Sequence, residues 1–175
     1  DEAYADFSGS SALELTKEYD NVLIVQTYSK SRSLAGMRIG YAMGNPELIR
    51  AMNDVRYSYN SYPMTRLSVA LGAAALEDEA YFRETVAKVV ETREWTKKEL
   101  KRLGFSFRDS RTNFIFATHE SVPAQTIFDV LREKHIFVRH FGQKRIENYL
   151  RISIGTQAEM ERFIRETEQI IAQNR

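Results

Sequence analysis

Cysteine is absent from the 175 residues, which excludes disulfides, thiolate nucleophiles and cysteine metal sites. A charge excess of either sign is missing as well: 25 basic residues stand against 24 acidic ones, a net charge of +1. No electrostatic surplus exists to drive binding to nucleic acid or to a membrane surface, so neither is expected as a partner. No apolar run approaches the roughly 20 residues needed to cross a bilayer, and no charged-then-apolar signal segment opens the chain. A soluble cytoplasmic protein is the expectation. Internal repeats and low-complexity segments are lacking. So is an initiator methionine: the chain starts Asp1-Glu2-Ala3-Tyr4 and reads as a piece of something longer. What is present is ordinary for a globular protein, with 43% hydrophobic and 28% charged residues. The length suffices for one full domain or two small ones with a sizeable core.

The pattern of apolar residues organises the chain. Val22 to Gln26 reads as a short buried strand and Met37 to Met43 as another. Gly44-Asn45-Pro46 opens a helix with Leu48, Ile49, Met52 and Val55 on one face. After the aromatic loop Tyr57 to Pro63, a small-residue helix spans about Thr65 to Leu76. One long amphipathic helix follows from about Glu79 to Leu103, with Phe82, Val86, Val89, Val90 and Leu100 at helical spacing and Gly104 placed to end it. Strands are expected at Phe105 to Arg108, Asn113 to Ala117, Ile136 to Arg139 and Leu150 to Ile154. A helix opens at Pro123, and a last one starts at Thr156 with Glu159 completing a capping box. Residues 1 to 80 read as the end of an α/β domain and 81 to 175 as a compact α+β domain.

One stretch carries chemistry. After the apolar run Val22 to Val25 comes Thr27-Tyr28-Ser29-Lys30, and Arg38 follows Lys30 by eight residues. Such a turn presents an amine for imine formation, with hydroxyls and a guanidinium suited to a phosphate monoester. A Schiff-base lysine beside an anchored phosphate is what pyridoxal 5'-phosphate (PLP) requires. The cofactor also needs a carboxylate for its pyridinium and a phenol near its ring oxygen; Asp1 and Tyr4 are the candidates. Arg151 alternates with Leu150 and Ile152 on the last strand, so it points away from the core face. Taken singly, each of these residues is an ordinary surface charge, and edge strands often carry arginines such as Arg139 and Arg151. His119, His135 and His140 show no metal-ligand spacing, so no metal site is expected, and they read as surface or loop residues. Tyr57, Tyr59 and Tyr62 read as interface or packing aromatics, and Asn113 as a strand-entry residue.

In combination these residues resemble the fold-type I PLP-dependent aminotransferases, and within them the branch that acts on histidinol phosphate. The resemblance is carried by Asp1-Glu2-Ala3-Tyr4, by Thr-x-Ser-Lys with Leu34-Ala35-Gly36-Met37-Arg38, and by Tyr59-Asn60 before the small-residue helix. Thr112-Asn113-Phe114-Ile115 and Tyr149 to Thr156 complete it, so that it runs through the whole chain. It implies a C-terminal part of a PLP-binding large domain, a mostly parallel sheet with helices, followed by the small α+β domain. It implies that Lys30 forms the Schiff base and moves the substrate proton, and that Asp1 pairs with the pyridinium. Tyr4 contacts the ring oxygen, while Thr27, Ser29 and Arg38 hold the phosphate. Arg151 and Arg139 fall on substrate-anion positions. The implied substrates are histidinol phosphate and a 2-oxo acid, 2-oxoglutarate, in histidine biosynthesis, and the implied assembly is a homodimer with Tyr59-Asn60 near its boundary. The family's Gly-rich phosphate turn and its pyridine-stacking aromatic precede this stretch, so the chain alone is expected to be inactive. Two other readings stay open: a non-catalytic fold fragment, and a related PLP enzyme such as an aromatic aminotransferase or a phosphothreonine-type decarboxylase.

Overall fold

A computed structural model describes residues 1–174. The chain divides into two compact units, Asp1–Val86 and Ala87–Arg175. In the first unit, helix α1 (Ala5–Ser8) precedes strand β1 (Leu23–Thr27), which pairs with β2 (Gly40–Gly44). The pair is antiparallel, with Leu23 opposite Gly44 and Thr27 opposite Gly40. Of the mostly parallel sheet implied for this half, the described residues contain this antiparallel pair. The second strand begins later than its apolar run suggests. A 3-10 turn occupies Ala35–Met37, and Arg38 takes a left-handed φ of 57° that breaks extension before Gly40. Gly44 is required by close approach: a Cβ there would lie 2.8 Å from the Val22 carbonyl oxygen.

Helices α2 (Pro46–Tyr59) and α3 (Arg66–Glu77) follow. Asn45 caps α2 by accepting the Glu47 N–H at 2.8 Å, and Thr65 caps α3 by accepting that of Ser68 at 3.0 Å. The small residues of α3 admit it against the β1–β2 connection, where a Cβ on Gly72 would stand 3.0 Å from Ile39 Cδ1 and 3.6 Å from the Tyr28 ring. The apolar stripe of α2 behaves differently. No residue of α2 is buried, and Val55 is 70% exposed. Amphipathic spacing makes such a face, but burial needs a second surface.

Helix α4 (Glu79–Arg102) begins in the first unit and continues into the second. There β3 (Phe105–Phe107), β4 (Phe114–His119), α5 (Ala124–Glu133), β5 (Arg139–His140), β6 (Leu150–Ser153) and α6 (Gln157–Gln173) complete the fold. The sheet order is β3-β4-β6-β5, antiparallel throughout. Ile115 and Ala117 of β4 and Leu150 and Ile152 of β6 share one hydrophobic cluster with Leu100 of α4, Leu131 of α5 and Phe163 of α6. The expected capping box is present at α6: Thr156 accepts the Glu159 N–H at 3.4 Å, and Glu159 accepts that of Thr156 at 2.7 Å. Strand β5 is shorter than its apolar run, because the Ile136 N–H donates to the Leu131 carbonyl at 2.8 Å instead of to a ladder.

One placement corrects the sequence reading. His119, expected at the surface, is 4% exposed on the inner face of β4. Its Nδ1 accepts the N–H groups of Ser121 and Val122 at 3.2 and 3.0 Å, so its Nε2 carries the proton donated to Leu103 O at 3.0 Å. The buried residues of α4 include Arg93 and Lys97. Burial of these cations is tolerated because each is paired: Arg93 donates to Glu94 at 2.9 Å and to Thr112 O at 3.0 Å. Lys97 lies 3.0 Å from Glu94 and 2.5 Å from Asp109.

This cluster makes stability depend on pH. Burial pushes the Glu94 carboxyl up, but hydrogen bonds from Lys97 and Arg93 outweigh it and leave the group below its ordinary value. The Lys97 hydrogen bond lowers Asp109 as well. As pH falls, the unfolded chain takes up these protons before the folded one. The contribution is therefore full above the ordinary carboxylate range, about pH 4–4.5, and is lost as pH drops through the lower folded values. Melts of the second unit between about pH 6 and about pH 3 are expected to shift downward, and Asp109→Asn to flatten that slope. A slope unchanged by the substitution would count against the cluster.

Candidate active site

The site of the first unit is built on the end of β1. Alternation sends Tyr28 inward, where it is 5% exposed, and turns Thr27 and Ser29 the other way. Pairing continues past the strand, with the Tyr28 N–H donating to Ile39 O at 3.1 Å. The turn then closes on itself, Ser33 N–H to Lys30 O at 3.1 Å and Leu34 N–H to Tyr28 O at 3.0 Å. Thr27 Oγ1 accepts the Ser29 N–H at 3.0 Å and lies 2.9 Å from Ser29 Oγ. Two hydroxyls are thus held side by side at the strand end, with the exposed Lys30 one residue on. Arg38 is exposed and directly precedes Ile39, the pairing partner of Tyr28. Its Nη1 donates to Ala35 O at 2.9 Å.

The N-terminal segment runs beside this turn. The Glu2 N–H donates to Val25 O at 2.8 Å, and Asp1 Oδ1 accepts the Ala3 N–H at 2.9 Å. The Lys30 Nζ stands 5.7 Å from the centre of the Tyr4 ring. Of the residues singled out in the sequence, the fold therefore gathers Thr27, Ser29, Lys30 and Tyr4 around one strand end, with Asp1 on the adjoining segment and Arg38 at the neighbouring strand.

Three residues escaped the sequence reading. Glu2 accepts from Gln26 at 2.9 Å, Ser11 at 2.8 Å and the Ala12 N–H at 2.6 Å; burial raises its carboxyl, yet these bonds hold it below the ordinary value. Ser31 donates to Asp6 Oδ2. Arg32 donates to Ala75 O at 2.6 Å and stacks 3.9 Å over the Phe82 ring. Their only sequence signal was a place within two residues of Asp1 or Lys30.

Arg139 and Arg151 belong to the second unit. They stand directly opposite each other across β5 and β6, both exposed, on the face turned away from the helices. Among the described residues neither forms an ion pair. Arg151 lies 5.6 Å from the Phe114 ring and Arg139 5.6 Å from that of Phe141. Phe116, opposite Arg151 on β4, stacks on Tyr149 at 4.7 Å. Like charges directly opposite are unfavourable in a sheet, so an unneutralised pair invites an anion. Beside it, a groove of about 690 Å³ is lined by Phe114, Phe116, Tyr149 and Arg145.

Residues 1–166 match the family described as aminotransferase class I and II, and the chain belongs to that family. It is 49% identical over 171 residues to histidinol-phosphate aminotransferase of Clostridium botulinum, covering 98% of this chain and 48% of that protein. It is 50% identical over 172 residues to the enzyme of the same name from Brachyspira hyodysenteriae, covering 98% and 49%. The structure of histidinol-phosphate aminotransferase from Sinorhizobium meliloti in complex with pyridoxal-5'-phosphate superposes with a TM-score of 0.83 at 30% identity, covering 98% of this chain and 48% of that one. The histidinol-phosphate aminotransferase of Clostridium acetobutylicum, 21% identical with a TM-score of 0.87 over 98% and 53%, shares the fold. The chain spans about half the length of the curated relatives it matches.

Proposed function

We propose that the lysine turn is the PLP site of an aminotransferase that acts on histidinol phosphate, with 2-oxoglutarate and glutamate as the second pair, in histidine biosynthesis. The single observation that carries the reading is the strand end itself, where Thr27 and Ser29 lie 2.9 Å apart next to an exposed lysine 5.7 Å from a phenol-bearing ring. These residues fit the cofactor: hydroxyl donors for its phosphate, an amine, and a carboxylate and phenol on the adjoining segment.

When bound, PLP supplies an aldehyde that takes an amine and a protonated ring that accepts an electron pair. The protein's part is division of labour. Thr27 and Ser29 donate to phosphate oxygens, and Arg38 adds a guanidinium fork. The Asp1 carboxylate keeps the pyridine nitrogen protonated, and the Tyr4 phenol donates toward the ring oxygen. Lys30 Nζ would hold the cofactor and would move the proton between the substrate α-carbon and the cofactor's C4′. Arg139 and Arg151 hold the substrate phosphate. Histidinol phosphate has an amine but no α-carboxylate, so two arginines facing one dianion suit it.

We further propose that residues 1–80 are the end of the large PLP-binding domain and 81–175 the small domain. The parent is then a cytoplasmic homodimer meeting near Tyr59-Asn60, with neither nucleic acid nor membrane as partner. The 175-residue chain by itself is proposed not to turn over, in keeping with its spanning about half the length of the relatives it matches. Addition of PLP to the chain, a scan for absorbance near the visible edge, and borohydride reduction with peptide mapping test the site. Label on Lys30 supports it, and its absence there overturns it; transamination by the chain alone would overturn the inactive-half proposal. In the protein of full relative length, Arg151→Gln is expected to raise the KM for histidinol phosphate about ten- to hundredfold. An unchanged KM removes Arg151 from the anion site.

A further inference from the structure

The lysine turn carries side-chain ties that the proposed chemistry leaves unused. Ser31, the residue after Lys30, is 6% exposed, and its hydroxyl donates to Asp6 Oδ2. Asp6 stands two residues after Tyr4, in α1. At the other end of the same segment, the Glu2 N–H donates to Val25 O at 2.8 Å and the Glu2 carboxylate accepts from Gln26 at 2.9 Å. The segment bearing Tyr4 is therefore laced to β1 at Glu2 and to the turn at Asp6. Tyr4 lies between the two laces, and Lys30 Nζ lies 5.7 Å from its ring.

Arg32 holds the turn from the other side. Its guanidinium stacks on Phe82 at 3.9 Å and lies 5.6 Å from the Tyr28 ring, and it donates to Ala75 O at 2.6 Å. Residues 31 and 32 are thus anchored in opposite directions, while the Lys30 side chain remains exposed. A lysine stem has four rotatable carbons, and its amine keeps one aim only if the backbone that bears it is fixed. Misplacement of a reacting group by about 1 Å costs as much as about a hundredfold in rate.

We propose that Asp6 and Ser31 are a positioning pair that aims the Lys30 amine at the Asp1–Tyr4 segment, with Arg32 as the counter-clamp. The inference rests on the reading of Lys30 as the cofactor-bearing amine.

The test uses the 175-residue chain with pyridoxal phosphate as the probe. The ε-amine and the aldehyde condense with loss of water. Borohydride then delivers hydride to the carbon of the C=N bond and solvent a proton to its nitrogen, leaving a secondary amine that peptide mass mapping reads. The measured quantity is the initial labelling rate of Lys30 relative to exposed Lys144 in the second unit. The unsubstituted chain is expected to favour Lys30. Asp6→Ala and Ser31→Ala are each expected to lower the ratio about five- to tenfold, the worth of one hydrogen bond. Ser31→Thr keeps the hydroxyl and is expected to keep the ratio, which a purely structural tie would not require. Ser31→Ala removes a single oxygen, so it carries the reading should Asp6→Ala lose its circular-dichroism signature. An undiminished ratio in a folded variant overturns the positioning pair and leaves the chemistry of Lys30 standing. Equal labelling of Lys30 and Lys144 in the unsubstituted chain overturns the cofactor reading, and the pair with it.

Discussion

Lys30→Ala is expected to abolish the borohydride-trapped label at this position and, in the protein of full relative length, to cut turnover at least about 10²–10⁴-fold, the worth of a positioned proton-transfer group. On the proposed reading the amine both carries the cofactor and moves the substrate proton, so one substitution removes both roles. Lys30→Arg separates charge from chemistry: it keeps a cation on the turn, but a guanidinium stays protonated and forms no Schiff base. Equal loss in the two variants assigns the effect to the amine. Full turnover in Lys30→Arg would mean that the lysine serves only as a charge. Stability is expected to change by no more than about 0.5 kcal/mol, because the Lys30 side chain is exposed. Lost turnover will therefore not be explained by lost fold.

Leu100→Ala is expected to destabilise the second unit by about 2–5 kcal/mol. Leu100 is 0% exposed, on the face of α4 that joins the sheet cluster. Truncation there removes apolar contacts and leaves a cavity that rigid neighbours on the sheet and α6 cannot fill. Against a typical domain stability of about 5–15 kcal/mol, that loss is a large share. Trp95 is the sole tryptophan and packs against the same cluster, so its fluorescence reports unfolding of this unit. Urea midpoints should fall with the slope unchanged. Val55→Ala, on the exposed face of α2, is the control and should move stability by no more than about 0.5 kcal/mol. Equal effects at the two positions would refute the assignment of the core to the second unit.

The contrast between these helices shows where sequence reasoning holds. The stripe of α6 and its Thr156–Glu159 box were legible because both are local, set by neighbours three or four residues away. The stripe of α2 was equally legible, yet no residue of that helix is buried: spacing specifies a face, not its cover. His119 was misread, and the burial of Arg93 and Lys97 was not legible, because their partners come from distant segments, Leu103 for the histidine and Thr112 and Asp109 for the cations. Polar groups of this kind look like surface residues until tertiary contacts satisfy them. The late start of β2 was hidden for another reason, since the left-handed conformation at Arg38 belongs to a residue with no intrinsic preference for it.

By itself the sequence determined the family, the lysine turn with its contiguous hydroxyls, and the order of helices and strands from β1 onward, because each is written in short-range spacing and residue chemistry. Only the tertiary structure decided that Tyr4 comes within reach of Lys30, that Arg139 faces Arg151 across two strands, and that Asp6 ties to Ser31. Those pairings join residues 12 to 26 positions apart, and chain closure and strand register, which no local pattern encodes, bring them together.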